Sequence, residues 1–113
     1  MYSFDFVKPT TLADAVALLG ADDEAQPIAG GQTLIPTLKQ RLAQPSKLVS
    51  LSGVSEMVGI CQDAAGRLCI GASTTHDAVN REAGAYPALA ALAGHIGDPA
   101  VRHRGTLGGS LAN

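Results

Sequence analysis

The chain has 113 residues, a length that fits one domain with a core of its own. Apolar residues make up 46% and charged ones 16%, which excludes a disordered chain. A formal net charge of −2 argues against the basic groove of a nucleic-acid binder and against a polybasic membrane patch. Aromatic residues are scarce, at 4% with no Trp, while Ala and Gly are prominent, so closely packed backbones are expected. The longest apolar stretch, "YPALAALAG", is too short for a transmembrane segment. The start, "MYSFDFVKPTT", lacks a basic region and an apolar signal core, so no export is implied and a cytoplasmic address is expected.

Residues 3–7 ("SFDFV") alternate as a short strand, which Pro9 ends. Thr10 and Thr11 offer caps to the helix that follows, and Thr11 with Asp14 resembles a capping box with a shorter acid. Leu12, Ala15, Val16 and Leu19 repeat at helical spacing, and Gly20 is a stop signal. "QPIAGG" reads as a brief strand ending in two glycines. Thr33 is the expected cap of the next helix, with Pro36 tolerated in its first turn and Leu34, Ile35, Leu38 and Leu42 as its apolar stripe. "KLVSL" reads as a third strand.

Cys61 and Cys69 flank "DAAGR", a hairpin loop around Gly66. Pairing Asp63 with Arg67 puts Cys61 opposite Cys69 and Ile60 opposite Ile70. Val58, Ile60, Leu68, Ile70 and Ala72 then share one apolar face, with Gln62 the exception, and the cysteines share the other face with Gly59 and Gly71. Two reduced thiols are expected at a cytosolic address, and two cysteines alone build neither an iron–sulfur cluster nor a structural zinc site. No metal is implied.

"STTHDAVNRE" opens on capping residues and reads as a short helix. "PALAALAGHIG" reads as another, with Pro87 at its first position and Gly97 at its exit. From Asp98, which reads as the start of a turn before Pro99, the periodicity stops. The order β-α-β-α-β, hairpin, two helices and a glycine-rich tail argues for an α/β or α+β class. The abrupt close on "GGSLAN" leads to the expectation that this chain is one part of a larger unit.

Gly30 and Gly31 stand between a strand and a helix start, where free N–H groups and the positive end of a helix suit an anion such as a phosphate. Gln32 and Thr33 add hydrogen-bonding side chains. Gly105-Thr106-Leu107-Gly108-Gly109-Ser110 repeats this chemistry, and two such pairs could hold a pyrophosphate. The other reading is two tight loops. Neither G-x-G-x-x-G nor G-x-x-x-x-G-K-[ST] occurs, so residue chemistry stops at a candidate nucleotide site.

"FVKPTTLADAVALL", "IAGGQTLIPTLKQRLAQPSKLVSL", "LCIGASTTHDAV" and "IGDPAVRHRGTLGGSLAN" together resemble the FAD-binding medium subunit of bacterial molybdenum hydroxylases. That group includes carbon monoxide dehydrogenase medium subunits and the flavin part of xanthine dehydrogenase. The resemblance runs over essentially the whole chain, and the combination of A-G-G-Q-[ST] with R-G-T-[IL]-G-G-[SN] is far more specific than either half. It implies an α+β fold, the N-terminal part of a vanillyl-alcohol-oxidase (PCMH-type) FAD-binding fold. Residues 1–113 would be its first subdomain plus the start of the second glycine-motif region, with the second subdomain absent.

The same resemblance implies FAD contacts at Ala29, Gly30, Gly31, Gln32 and Thr33, with Ile28 flanking the cofactor, and at Thr106, Leu107, Gly108, Gly109 and Ser110. It implies an oxidoreductase component whose FAD takes electrons from iron–sulfur clusters and passes them to a terminal acceptor. The partners implied are an iron–sulfur small subunit carrying 2Fe-2S clusters and a molybdenum large subunit carrying molybdopterin, and no residue here need act as acid, base or nucleophile. The alternative is a non-catalytic, truncated flavin-fold module serving as a structural or protein-binding unit.

Thr75 and His76 lie on a segment shared with that family and are candidates to approach the flavin. The other reading makes Thr74 or Thr75 a helix cap and His76 a surface or packing residue. Arg102, His103 and Arg104 could balance the cofactor's negative charge, or be solvated or partner-facing. Asp22, Asp23, Glu24 and Glu82 read as solvated.

Overall fold

The computed structural model describes residues 1–113 and divides into two units, Met1–Glu56 and Met57–Asn113. In the first unit, β1 (Asp5–Val7), β2 (Ala25–Ile28) and β3 (Lys47–Ser50) form a parallel sheet in the order β1-β3-β2. β3 is central, and its Leu48, Val49 and Ser50 are buried, as an apolar strand with neighbours on both edges should be. Pro27, which has no N–H to give, sits on edge strand β2.

Helix α1 (Leu12–Gly20) starts as its sequence predicts: Thr11 Oγ1 accepts from Asp14 N at 3.1 Å. Glu56 Oε1 accepts from Leu12 N at 2.9 Å and satisfies another amide of the first turn. Gly20 is the last helical residue rather than a left-handed stop, and the helix ends on Ala21. Asp22 is partly exposed and hydrogen-bonded as well. Its Oδ2 accepts from Ser46 Oγ at 2.6 Å and its Oδ1 from Glu24 N at 2.9 Å, and these bonds hold its carboxyl below the ordinary range.

Helix α2 (Leu34–Lys39) is shorter than the stripe predicts. Leu38 is buried, but Leu42 lies beyond the helix and is 72% exposed. Arg41 takes a left-handed φ of 57°, and the bonds Arg41 N to Leu38 O and Leu42 N to Thr37 O close the helix in a Schellman arrangement. The Arg41 guanidinium lies 5.3 Å from the centre of the Tyr2 ring.

In the second unit, β4 (Ile60–Gln62) and β5 (Leu68–Ile70) form the predicted antiparallel hairpin, with Ile60 opposite Ile70 and Cys61 opposite Cys69. Asp63 organises the turn: it accepts from Ala65 N and Arg67 N and pairs with Arg67 Nε at 2.7 Å. Both thiols are free and exposed. Ile60, Leu68 and Ile70 pack on a core of Val79, Ala83 and Ala93, while Val58, expected on that face, is exposed.

Helices α3 (His76–Glu82) and α4 (Pro87–Gly94) supply that core, and the alanines let their backbones approach. Pro87 opens α4 as expected, but the exit comes at Gly94 and His95, ahead of Gly97. The tail after Asp98 is not irregular. It forms α5 (Pro99–Arg102) and α6 (Leu107–Ala112), each started by its own side-chain cap, Asp98 and Thr106. Parallel and antiparallel sheets thus sit with their helices in separate units, an α+β arrangement. No helix is long and apolar enough to cross a membrane.

Candidate functional site

The first glycine motif lies in the first unit, where β2 passes into α2. Its Ile28 O accepts from Leu51 N at 2.9 Å, which ends the ladder, and the chain then leaves the sheet. Gly31 has φ 75°, the left-handed region where a side chain is strained. A Cβ there would also lie 2.7 Å from Ile35 Cδ1. Thr33 occupies the cap position without capping, because its φ of −100° and ψ of −42° are already helical. Thr37 Oγ1 instead donates to Thr33 O at 3.0 Å.

What this turn leaves over is a run of donors. None of Ala29, Gly30, Gly31, Gln32, Thr33 and Leu34 donates its backbone N–H to an acceptor within the unit. All six are partly or fully exposed, so water or a ligand satisfies them. A closely approaching anion is what such a run suits. A concave surface of this unit lies away from the motif, lined by Val7, Pro9, Asp14 and Leu18 among others.

The second motif is built differently. Thr75 and Thr106 face each other in an isolated antiparallel bridge, flanked by His76 N to Gly105 O and Leu107 N to Thr74 O, both at 3.0 Å. Gly108 N donates to Ala72 O at 2.8 Å, Gly109 N to Thr106 Oγ1 at 3.1 Å, and Ser110 N to Thr106 O at 3.1 Å. Every backbone amide from Leu107 to Ser110 is therefore engaged. A Cβ on Gly108 would lie 2.7 Å from both Cβ and O of Ala72, so its missing side chain admits a neighbouring backbone of its own unit.

The structure thus gathers Thr75, His76, Thr106, Leu107, Gly108, Gly109 and Ser110 into one cluster of the second unit. Thr75 is the cap of α3, its Oγ1 accepting from Ala78 N at 3.2 Å. Thr74, the other candidate cap, is buried and exchanges two bonds with the backbone of Gly59. His76 is only 3% exposed. Its Nε2 is 3.0 Å from Ser110 Oγ, its Nδ1 is buried without a partner, and burial lowers its pKa from the usual imidazole value.

The basic run before the motif is largely committed. Arg102 Nη1 donates to Gly97 O at 2.9 Å, and His103 Nε2 lies 3.3 Å from Asp77 Oδ2. Arg81 Nε also donates to Asp77 at 2.7 Å and, with the nearby positive charges, holds that carboxyl below its ordinary range. Arg104 is exposed and makes no ion pair. The carbonyls of Ala72 and Thr74, which occupy two of the motif's amides, are invisible to motif reading because any residue type supplies them.

A family model described as the FAD binding domain in molybdopterin dehydrogenase matches residues 2–113. The carbon monoxide dehydrogenase medium chain of Afipia carboxidovorans is 42% identical over 115 residues, covering 98% of this chain and 40% of that protein. The nicotine 6-hydroxylase medium subunit of Paenarthrobacter nicotinovorans is 40% identical over 111 residues, covering 96% and 39%. Among solved structures, quinoline 2-oxidoreductase from Pseudomonas putida 86 superposes with a TM-score of 0.94 at 43% identity, over 98% of this chain and 40% of that one. The chain therefore spans about 40% of the length of the relatives it matches.

Proposed function

This chain belongs to the family of FAD binding domains in molybdopterin dehydrogenase, and on that footing we propose that it holds FAD within the medium subunit of a molybdenum hydroxylase. The observation that carries this reading is the unbroken run of free amides from Ala29 to Leu34, which fits the oxygens of a pyrophosphate. Ile28, Ala29, Gly30, Gly31, Gln32 and Thr33 are the first set of contacts. The second set is Thr106, Leu107, Gly108, Gly109 and Ser110, with Thr75 and His76 beside it. FAD supplies the redox chemistry when bound. The residues of this chain bind and orient it, and none acts as an acid, base or nucleophile.

Residues 1–113 form the N-terminal part of that FAD-binding unit in this reading. Its partners are a small subunit with 2Fe-2S clusters and a large subunit with molybdopterin, and the assembly is cytoplasmic. The medium-chain names of the relatives support the existence of partners. A purely structural module finds no support among the relatives named above, which are parts of enzymes.

The test is a titration of the full chain, stripped of ligand, with FAD, followed by flavin fluorescence with ADP as competitor. Saturable binding that weakens in Gly31→Val is expected. A chain that shows no saturable quenching at any FAD concentration up to the millimolar range overturns the reading for this piece.

A further inference from the structure

His76 and Ser110 are 34 positions apart in sequence and 3.0 Å apart in space. One is buried to 3% exposure and the other is exposed, so the pair links the interior of the second unit to its glycine-motif surface. A Cβ on Gly105 would lie 3.1 Å from His76 Cδ2, so the ring is held closely on the side where that backbone passes.

The contact can be wired in two ways, because a neutral imidazole carries one proton. A proton on Nδ1 would leave a buried N–H with no acceptor, since Nδ1 has no partner. Orphaned buried N–H groups are rare in folded proteins, and each costs about 1–3 kcal/mol. A proton on Nε2 makes a good bond to Ser110 Oγ and leaves only a lone pair unmet. This is also the tautomer that free imidazole side chains prefer in water. Burial lowers the ring's pKa and so disfavours the doubly protonated form.

We propose that His76 is a positioning residue whose Nε2–H donates to Ser110 Oγ, turning the Ser110 hydroxyl proton outward as a donor to a phosphate oxygen. The point of this wiring lies in the amides. Leu107, Gly108, Gly109 and Ser110 have all spent their N–H groups inside the unit, so the Ser110 hydroxyl is a donor this motif still has to offer. Were Ser110 to donate to the ring instead, its exposed oxygen would present lone pairs toward an anion. The inference rests on the FAD reading for the identity of the phosphate, and on the ring alone for the direction of the bond.

Two measurements test it. In the ligand-free, 15N-labelled full chain, long-range proton–nitrogen correlations at pH 7.5 are expected to show His76 Nε2 protonated and Nδ1 bare. A proton on Nδ1 overturns the proposal whatever the chain binds. FAD titrations then compare variants. His76→Gln, which keeps an N–H near the Nε2 position, should bind within about twofold of the parent, and His76→Leu about fivefold more weakly, the scale of one neutral hydrogen bond. In a Ser110→Ala background, His76→Leu should cause no further loss. An equal loss in both backgrounds would mean that the ring is only packing, and would overturn the proposal. An Nε2-protonated ring in a chain that binds no FAD would leave the bond direction standing and remove the flavin reading instead.

Discussion

The two Gly-Gly motifs share a pattern and use their missing side chains for opposite ends. At Gly31 the backbone turns left-handed, and the amides from Ala29 to Leu34 are left free. At Gly108 a neighbouring backbone comes in, and Ala72, Thr74 and Thr106 take up the amides from Leu107 to Ser110. One motif keeps free donors on its main chain, whereas the other keeps an exposed side-chain hydroxyl, that of Ser110. A glycine pair before a helix or in its first turn is thus no anion site by itself. What decides is where its N–H groups go.

The largest effect expected from this contrast is on stability, and it falls on the second motif. Gly108→Ala places a Cβ against backbone that cannot swing aside, and should cost about 3 kcal/mol. Gly31→Ala meets the flexible tip of Ile35 and a left-handed backbone, and should cost roughly 1–2 kcal/mol. Urea unfolding of both variants checks the order. If Gly31→Ala proved the more destabilising, packing would not be what distinguishes Gly108. FAD affinity should rank the same two variants by ligand access instead, with Gly31→Ala weakening binding even where the protein stays folded.

The caps sharpen the contrast at a smaller scale. Thr106 Oγ1 accepts from Gly109 N, so Thr106→Ala should cost about 1 kcal/mol. Thr33 stands at the equivalent position of the first motif but makes no cap bond, so Thr33→Ala should change stability by less than about 0.5 kcal/mol. Matching losses from the two substitutions, measured as urea midpoints, would show that Thr33 caps its helix after all.

Local chemistry was legible in the sequence; long-range use of the backbone was not. The hairpin register follows from Asp63 and Arg67 closing a short loop, and Thr11 with Asp14 announces the start of α1. The end of α2 was misread because Arg41, not a glycine, takes the left-handed position. α6 was missed because two glycines lower its helix propensity. Bonds from Leu107 and Gly108 to Thr74 and Ala72, over thirty positions away, supply what the local sequence lacks. The candidate site follows the same division. Its candidate positions come from the two motifs, whereas the free amides of one and the committed amides of the other depend on the backbone path and on distant carbonyls.

The smallest effect expected is a pH dependence that separates the units. His76 binds a proton less readily in the folded chain than in the unfolded one, because burial lowers its pKa. Below the usual imidazole value of about 6.5 the unfolded chain therefore carries more protons. Stability should fall as pH drops from there toward the lowered folded value, and above 6.5 this contribution should be level. Asp22, Asp63 and Asp77 also have lowered values, but as carboxylates they act in a separate, more acidic window. His76→Gln removes the first window and leaves the second. The expected result in urea unfolding at pH 7.5, 6.0 and 5.0 is a slope in the parent that flattens in His76→Gln. Amide exchange should place that slope in residues 57–113, since His76 has no counterpart in the first unit, which contains no histidine. A slope that survives His76→Gln unchanged would mean that the imidazole is not buried neutral. The second motif would then have no fixed direction for its Ser110 bond.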